Sequence, residues 1–251
     1  MRVFSVSSQK GGTAKTTTAA AVAAGAAMRG YKALCIDLDP QGSLTYIMGA
    51  DGDAEGSYQL IKGSGAAVQH CNGVDVIPAS LDLAGIDMEL STKAGRDFIL
   101  REALEPIKKD YDIIVLDTAP QLGTLLINAL TASTEVIIPV QADVFALQGI
   151  YQLLDTIRQV QKFTNKELKI AGVLLTRYTS RTVISRDLTE SIQAKCDSFN
   201  IPLLKTAIRE GVAIKEAQLM RQSIYDYAAD SNATKDYIAL LNELEIREGT
   251  A

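Results

Sequence analysis

The residues best suited to chemistry lie in one stretch near the start, residues 9–17, read QKGGTAKTT. An apolar, β-rich run at residues 3–6 precedes it and an alanine-rich segment at residues 18–28 follows. Strand, glycine-bearing loop and helix start together make a phosphate cradle. Glycines let backbone N–H groups approach oxyanions closely, and the helix N-terminus adds partial positive charge. Lys15 is placed to reach the terminal phosphates and Thr16 to set its hydroxyl on Mg²⁺. Gly11, Gly12, Thr13, Ala14 and Thr17 complete the cradle. The strict pattern G-x-x-x-x-G-K-[ST] is not met. Gln9 and Ala14 occupy its two glycine positions, and a second lysine, Lys10, stands at the start of the loop.

Two further stretches supply carboxylates. The run at residues 32–37 leads into Asp37-Leu38-Asp39-Pro40-Gln41-Gly42. Alternate residues of a strand point the same way, so Asp37 and Asp39 are both expected to face a nucleotide. Pro40 and Gly42 then break the strand. Such a pair suits a Mg²⁺ shell or the orientation of an attacking water. Residues 111–120, YDIIVLDTAP, carry an apolar run that ends in Asp117. This is a Walker-B pattern, whose carboxylate holds Mg²⁺ directly or through water.

These groups need elements to position them. Residues 3–8, 32–37, 74–78, 111–120, 135–140 and 169–176 read as strands, and residues 16–29, 80–90, 96–109, 146–161, 183–199 and 234–244 as helices. Residues 51–73 are Gly- and Ser-rich, with a short helix at 58–61 and loops that hold His70, the sole histidine, as a solvated side chain. Near-continuous apolar strands alternating with helices predict an α/β fold: a doubly wound, mostly parallel sheet flanked by helices on both faces. Its ligand belongs at the carboxyl ends of the strands.

The length of 251 residues suits one domain over residues 1–251, and at this size roughly 70–75% of the unfolded surface can be buried. Cys35, Cys71 and Cys196 form an odd, unspaced set that suggests neither a metal site nor a disulfide framework, and a reducing compartment fits. No run reaches the length of a membrane span, and no basic leader precedes the first apolar run, so a soluble, cytoplasmic protein is expected. The net charge of −5, from 25 basic and 30 acidic residues, argues against a broadly basic nucleic-acid binder while leaving room for a local basic patch.

The loop K-G-G-x-x-K-T resembles the deviant Walker A loop of the ParA/MinD partition and positioning ATPases. DLDPQG resembles that family's second motif and lies at the family's spacing, with Asp39 24 residues after Lys15. Around Asp117, Tyr111-Asp112, Pro120, Leu122-Gly123 and Ile127-Asn128-Ala129-Leu130 match as well, and Ser180-Arg181-Thr182 match further on. The resemblance implies an ATPase that uses ATP and Mg²⁺, with Lys10, Lys15 and Asp39 as catalytic residues. Asp39 is then the water-orienting carboxylate, and Thr16, Asp39 and Asp117 surround the metal. Lys10 resembles the family's signature lysine, which crosses to the partner's phosphates in an ATP-sandwich homodimer. Thr176, Arg209 and Gly211 join the nucleotide-binding set. Residues 206–217 align without gaps to a family segment that frames the adenine and borders a DNA-binding face. There Arg209 replaces Pro, Glu210 replaces Arg, Gly211 replaces Asn and Ala213 replaces Arg.

The biology so implied is DNA partition: non-specific binding of nucleoid DNA by the ATP dimer, and hydrolysis stimulated by a centromere-binding, ParB-like partner. Phosphate contacts dominate such binding, and the candidates are Arg186, Lys205, Arg209, Lys215 and Arg221. No N-terminal helix-turn-helix extension is expected, since the first strand starts at once. Two alternatives keep the fold. One positions a protein complex instead of DNA. The other is MinD-like and membrane-associated, which the acidic end YIALLNELEIREGTA disfavours because it lacks a basic amphipathic helix.

Overall fold

The structure is a computed structural model that describes residues 1–143, 145–179 and 183–248, with side chains described except at 183–186. The Ser180-Arg181-Thr182 match and the side chain of Arg186 lie outside the described residues. Among the described residues eight strands run in the chain order β1 (Arg2–Val6), β2 (Ala33–Leu38), β3 (Gln69–Cys71), β4 (Val74–Ile77), β5 (Ile113–Thr118), β6 (Glu135–Gln141), β7 (Lys169–Tyr178) and β8 (Leu203–Arg209). They form one sheet in the order β3-β4-β2-β5-β1-β6-β7-β8. Every pairing is parallel except β3 with β4. The helices are α1 (Lys15–Met28), α2 (Ser43–Met48), α3 (Ser57–Lys62), α4 (Ile86–Leu90), α5 (Ile99–Leu104), α6 (Thr124–Ala132), α7 (Ala146–Phe163), α8 (Val183–Phe199), α9 (Val212–Leu219), α10 (Ile224–Tyr227) and α11 (Asn232–Glu243). The expected doubly wound α/β architecture is present.

Strand alternation sorts the core into two faces. Phe4, Val115 and Ile137 pack with α1, α10 and α11 on one side. Their neighbours Val3, Ile114 and Leu116 pack with α4, α5 and α6 on the other. On that second side Val136 and Ile138 meet α7 and α8. Half of helix α1 is alanine, because it is squeezed between the sheet and α11. A Cβ added at Gly25 would clash with Leu241 Cδ1 and the Tyr225 hydroxyl.

The sequence expectations fail where short-range breakers act. The single helix expected over residues 96–109 is three pieces: a 3₁₀ turn at Arg96–Phe98, α5, and a second 3₁₀ turn at Lys108–Asp110. Pro106 lies between α5 and the last turn, where its missing N–H and its ring cannot continue a helix. Residues 80–90 divide likewise into a 3₁₀ turn, Leu81–Gly85, and α4. His70 is not in a loop. It sits on the antiparallel edge strand β3, where its Nδ1 lies 2.8 Å from Asp75 Oδ1. The last helix starts at Asn232, capped by Ser231, whose hydroxyl accepts from the Thr234 amide at 3.1 Å.

Candidate nucleotide-binding site

The loop after β1 turns into α1 at the carboxyl edge of the central strands. Gly12 (φ 77°) and Ala14 (φ 60°) both adopt the left-handed conformation that the sharp turn requires. For alanine this is a strained choice. Neighbouring strands strap the loop in place. The Thr176 hydroxyl on β7 donates to the Thr13 carbonyl at 3.0 Å, and the Thr118 hydroxyl at the end of β5 donates to the Val6 carbonyl at 3.0 Å. The Thr13 hydroxyl donates to the Lys10 carbonyl at 3.2 Å. Thr176 is buried, and its proton is committed to the loop, so its side chain supports the cradle from below instead of lining it.

Above the loop lies a cleft of about 930 Å³. Gly11, Gly12, Ala14, Lys15, Thr16, Thr17 and Asp39 line one side, and Arg177, Arg209, Gly211, Lys215, Gln218 and Tyr237 line the other. The volume lies in the range of pockets that hold a drug-sized or cofactor-sized ligand. Lys15 is buried, and its Nζ donates to the Lys10 carbonyl at 3.2 Å. Burial lowers its pKa, while Asp117 and Asp39 oppose that shift.

Asp117 is fully buried near the end of β5, and neither of its oxygens has a hydrogen-bond partner. Burial holds its carboxyl well above the ordinary range, Asp37 adds repulsion, and nearby Thr16 and Lys15 offset part of it. The repulsion follows from register, since Asp37 on β2 pairs directly with Asp117 on β5. A buried carboxylate without a partner is costly, and it fits a site that expects a cation. Among the described residues no three His, Cys, Asp or Glu side chains are grouped to hold a metal by themselves. Asp117 beside the Thr16 hydroxyl, with Asp39 in the cleft, therefore fits Mg²⁺, which binds through few carboxylates and keeps waters and phosphate oxygens as its other ligands.

Asp37 departs from expectation. Strand β2 ends at Leu38, so alternation stops before Asp39 and the two carboxylates separate. Asp37 is fully buried and does not line the cleft. Its oxygens accept from the amides of Asp39 (3.1 Å) and Thr45 (2.8 Å) and from the Thr45 hydroxyl (2.8 Å). Burial raises its pKa to about 6 against the pull of the Thr45 bonds. Asp39 stands in the turn beyond the strand and reaches the cleft, with its Oδ1 accepting from the Gln41 amide at 3.0 Å.

Lys10 does not line the cleft that its own loop forms. Its ammonium pairs with Asp143 and lies 5.7 Å from the centre of the exposed Phe145 ring. Sequence reasoning missed this counter-ion, because Asp143 lies 133 residues away in the loop after β6. Also missed were Arg177, at φ 50°, and Gln218, whose Nε2 donates to Thr17 Oγ1 at 2.9 Å. Only the packing of α9 on α1 brings Gln218 to the loop.

Three of the four described DNA candidates have side chains engaged within the chain. Arg209 borders the cleft with its guanidinium clamped on Asp236 of α11 at 2.6 and 2.9 Å. Lys215 Nζ lies 3.9 Å from Glu210 Oε1. Arg221 stacks on Tyr46, 4.4 Å from the ring centroid. Lys205 sits four residues before Arg209 on β8, about 13 Å along the strand, where its amide donates to Glu243.

Comparison with known proteins gives the family. A family model described as an AAA domain matches residues 1–170. The sporulation initiation inhibitor protein Soj of Bacillus subtilis is 37% identical over 250 residues, covering 97% of this chain and 98% of that protein. The chain belongs to the ParA/Soj family of partition ATPases. Among solved structures related to this ParA/Soj chain is cobyrinic acid a,c-diamide synthase from Mycobacterium smegmatis with bound ADP and magnesium. It has a TM-score of 0.79 at 34% identity and covers 93% of this chain and 97% of that one. A plasmid partition protein from Borrelia burgdorferi bound to AMPPNP has a TM-score of 0.80 at 26% identity, covering 98% and 97%. No helix among the described residues of this ParA/Soj family member is long and apolar enough to cross a membrane.

Proposed function

We propose that this chain is a partition ATPase that binds ATP with Mg²⁺, dimerises face to face on ATP, binds DNA non-specifically, and hydrolyses ATP when a centromere-binding, ParB-like protein stimulates it. ATP and Mg²⁺ are its cofactor pair; of the relatives above, one holds ADP with magnesium and the other AMPPNP. The observation that carries the reading is the buried Asp117 carboxylate, without a hydrogen-bond partner and close to Lys15, Thr16 and Asp39, which themselves line the cleft.

The loop amides and Lys15 hold the β- and γ-phosphates. Thr16 and Asp117, with Asp39 beside them, would hold Mg²⁺, which would supply neutralisation of phosphate charge. Lys15 leaves the Lys10 carbonyl to reach a phosphate and regains there the charge partner that burial denies it. Asp39, exposed to the cleft, orients water for in-line attack. Catalysis of this kind is mostly positioning and charge neutralisation. Lys10 points out of its own cleft, which supports a role in trans: it exchanges Asp143 for the phosphates of a second copy. Gly11, Gly12, Thr13, Ala14 and Thr17 shape the cradle, Thr176 braces it, and Arg209 and Gly211 border the base end.

One observation favours a second reading, positioning of a protein complex. Two of the candidate DNA-contact cations, Arg209 and Lys215, face carboxylates of the same chain. Co-sedimentation with non-specific DNA, with ATP, with ADP and without nucleotide, at low and moderate salt, separates the two. Binding that needs ATP and weakens with salt supports DNA partition. No binding in any state, with ATP-driven dimers intact, refutes nucleoid coating and leaves protein cargo.

A further inference from the structure

The turn that carries Asp39 has no regular structure of its own, yet it must present a carboxylate in one direction. Its anchor is a buried relay. The Ala79 amide, just past β4, donates to the Thr45 hydroxyl at 2.8 Å. That hydroxyl donates to Asp37 Oδ2 at 2.8 Å, and the Thr45 amide donates to the same oxygen at 2.8 Å. Asp37 Oδ1 then accepts the Asp39 amide at 3.1 Å. A threonine hydroxyl has one proton and two lone pairs, so it can accept from Ala79 and donate to Asp37 at once. Asp37 is 0% exposed and Thr45 4%, so water cannot take over these bonds.

The relay also replaces a helix cap. The N-cap of helix α2 is Gly42, in the left-handed conformation at φ 62°, with no side chain to satisfy the first amides. Asp37 satisfies one of them, that of Thr45, from the preceding strand. The bond that Asp39 makes within its own turn, to the Gln41 amide, does not fix the turn relative to the sheet. Asp37 and Thr45 do, because they tie it to β2, α2 and the end of β4.

We infer that Thr45 is a positioning residue for hydrolysis: its hydroxyl, bonded between the Ala79 amide and Asp37, aims the Asp39 carboxylate into the cleft. This rests on the reading of Asp39 as the water-orienting group. Thr45 itself does not line the cleft, so its effect falls on turnover and not on nucleotide binding.

Three variants and one measurement on the unaltered protein test the inference. Thr45→Val keeps the shape and removes the hydroxyl, whereas Thr45→Ser keeps the hydroxyl. Hydrolysis is followed in single turnovers with protein in excess, and affinity with a fluorescent ATP analogue. A misplacement of about 1 Å costs up to about 10²-fold, so Thr45→Val slows the chemical step about 10- to 100-fold. Its affinity stays unchanged, and Thr45→Ser restores the rate. Thr45→Val turning over like the unaltered protein, or losing rate and affinity together in proportion to the unfolded fraction, overturns the inference. Asp39→Ala separates the two layers. If it still hydrolyses ATP, the reading of Asp39 falls and the inference with it; if it is inactive while Thr45→Val is not, the relay alone falls. Should Thr45→Val not fold, hydrogen exchange decides on the unaltered protein: slow, matched exchange of the Asp39 and Ala79 amides supports the relay, and rapid exchange of either refutes it.

Discussion

Ala14 is the position where a single methyl group has two separable consequences. Its backbone stands at φ 60°, ψ 31°, at the N-cap of α1. An L-residue in that region costs about 1–2 kcal/mol, because Cβ approaches the following carbonyl oxygen. Glycine avoids this cost but gives up about 0.5–1 kcal/mol of unfolded-state entropy. Ala14→Gly should therefore stabilise the protein by about 0.5–1 kcal/mol, which at this size raises Tm by about 1–4 °C. The reverse experiment is Gly12→Ala at φ 77°, where an added Cβ meets nothing within 4 Å, so its cost is purely conformational. Thermal and urea unfolding by circular dichroism measure both. A Tm for Ala14→Gly at or below that of the unaltered protein, with Gly12→Ala neutral, would refute the strain argument. The second consequence concerns the cleft face, where Ala14 is half-buried. If its methyl crowds a second copy, Ala14→Gly raises ATP-dependent dimerisation in analytical ultracentrifugation; an unchanged dimer fraction leaves the strain effect alone.

Three further outcomes follow from the site and the core. Lys10→Ala should bind ATP as a monomer and lose ATP-dependent dimerisation in the ultracentrifuge; a persisting dimer would remove Lys10 from the interface. Asp117→Asn should stabilise the metal-free protein, since it removes a buried charge that faces Asp37. The sign is set by the raised Asp117 carboxyl: its contribution is full below the ordinary value of 3.8 and is lost as pH rises toward a folded value that burial and Asp37 hold well above it. Urea unfolding should thus show a gain that widens as pH rises above 3.8, reaching on the order of 1–3 kcal/mol, and a gap independent of pH would contradict the repulsion. Gly25→Ala should destabilise by about 1–3 kcal/mol through overpacking, outweighing the helix-propensity gain of about 1 kcal/mol. The clash is with Leu241 and Tyr225, whose hydroxyl donates to the Ala21 carbonyl at 2.9 Å. An unaltered Tm for that variant would mean that α11 yields freely.

What the sequence determined by itself was local or contiguous. The loop at residues 9–17, the strand that ends in Asp117 and the alternation of strand and helix are short-range patterns, and they were sufficient for the α/β fold and the ParA-like resemblance. The cradle is made by backbone groups, and neighbouring residues dictate backbone conformation. Tertiary structure decided what depends on partners far along the chain. It assigned Asp143 to Lys10, Asp236 to Arg209 and Thr176 to the underside of the loop. It also separated Asp37 from Asp39, which strand periodicity had placed together, because β2 ends one residue too soon and Thr45 offers Asp37 two donors from the next helix. The direction of a side chain in a turn is set by the hydrogen bonds that hold the turn. Those bonds come from elements that only folding brings within 3 Å.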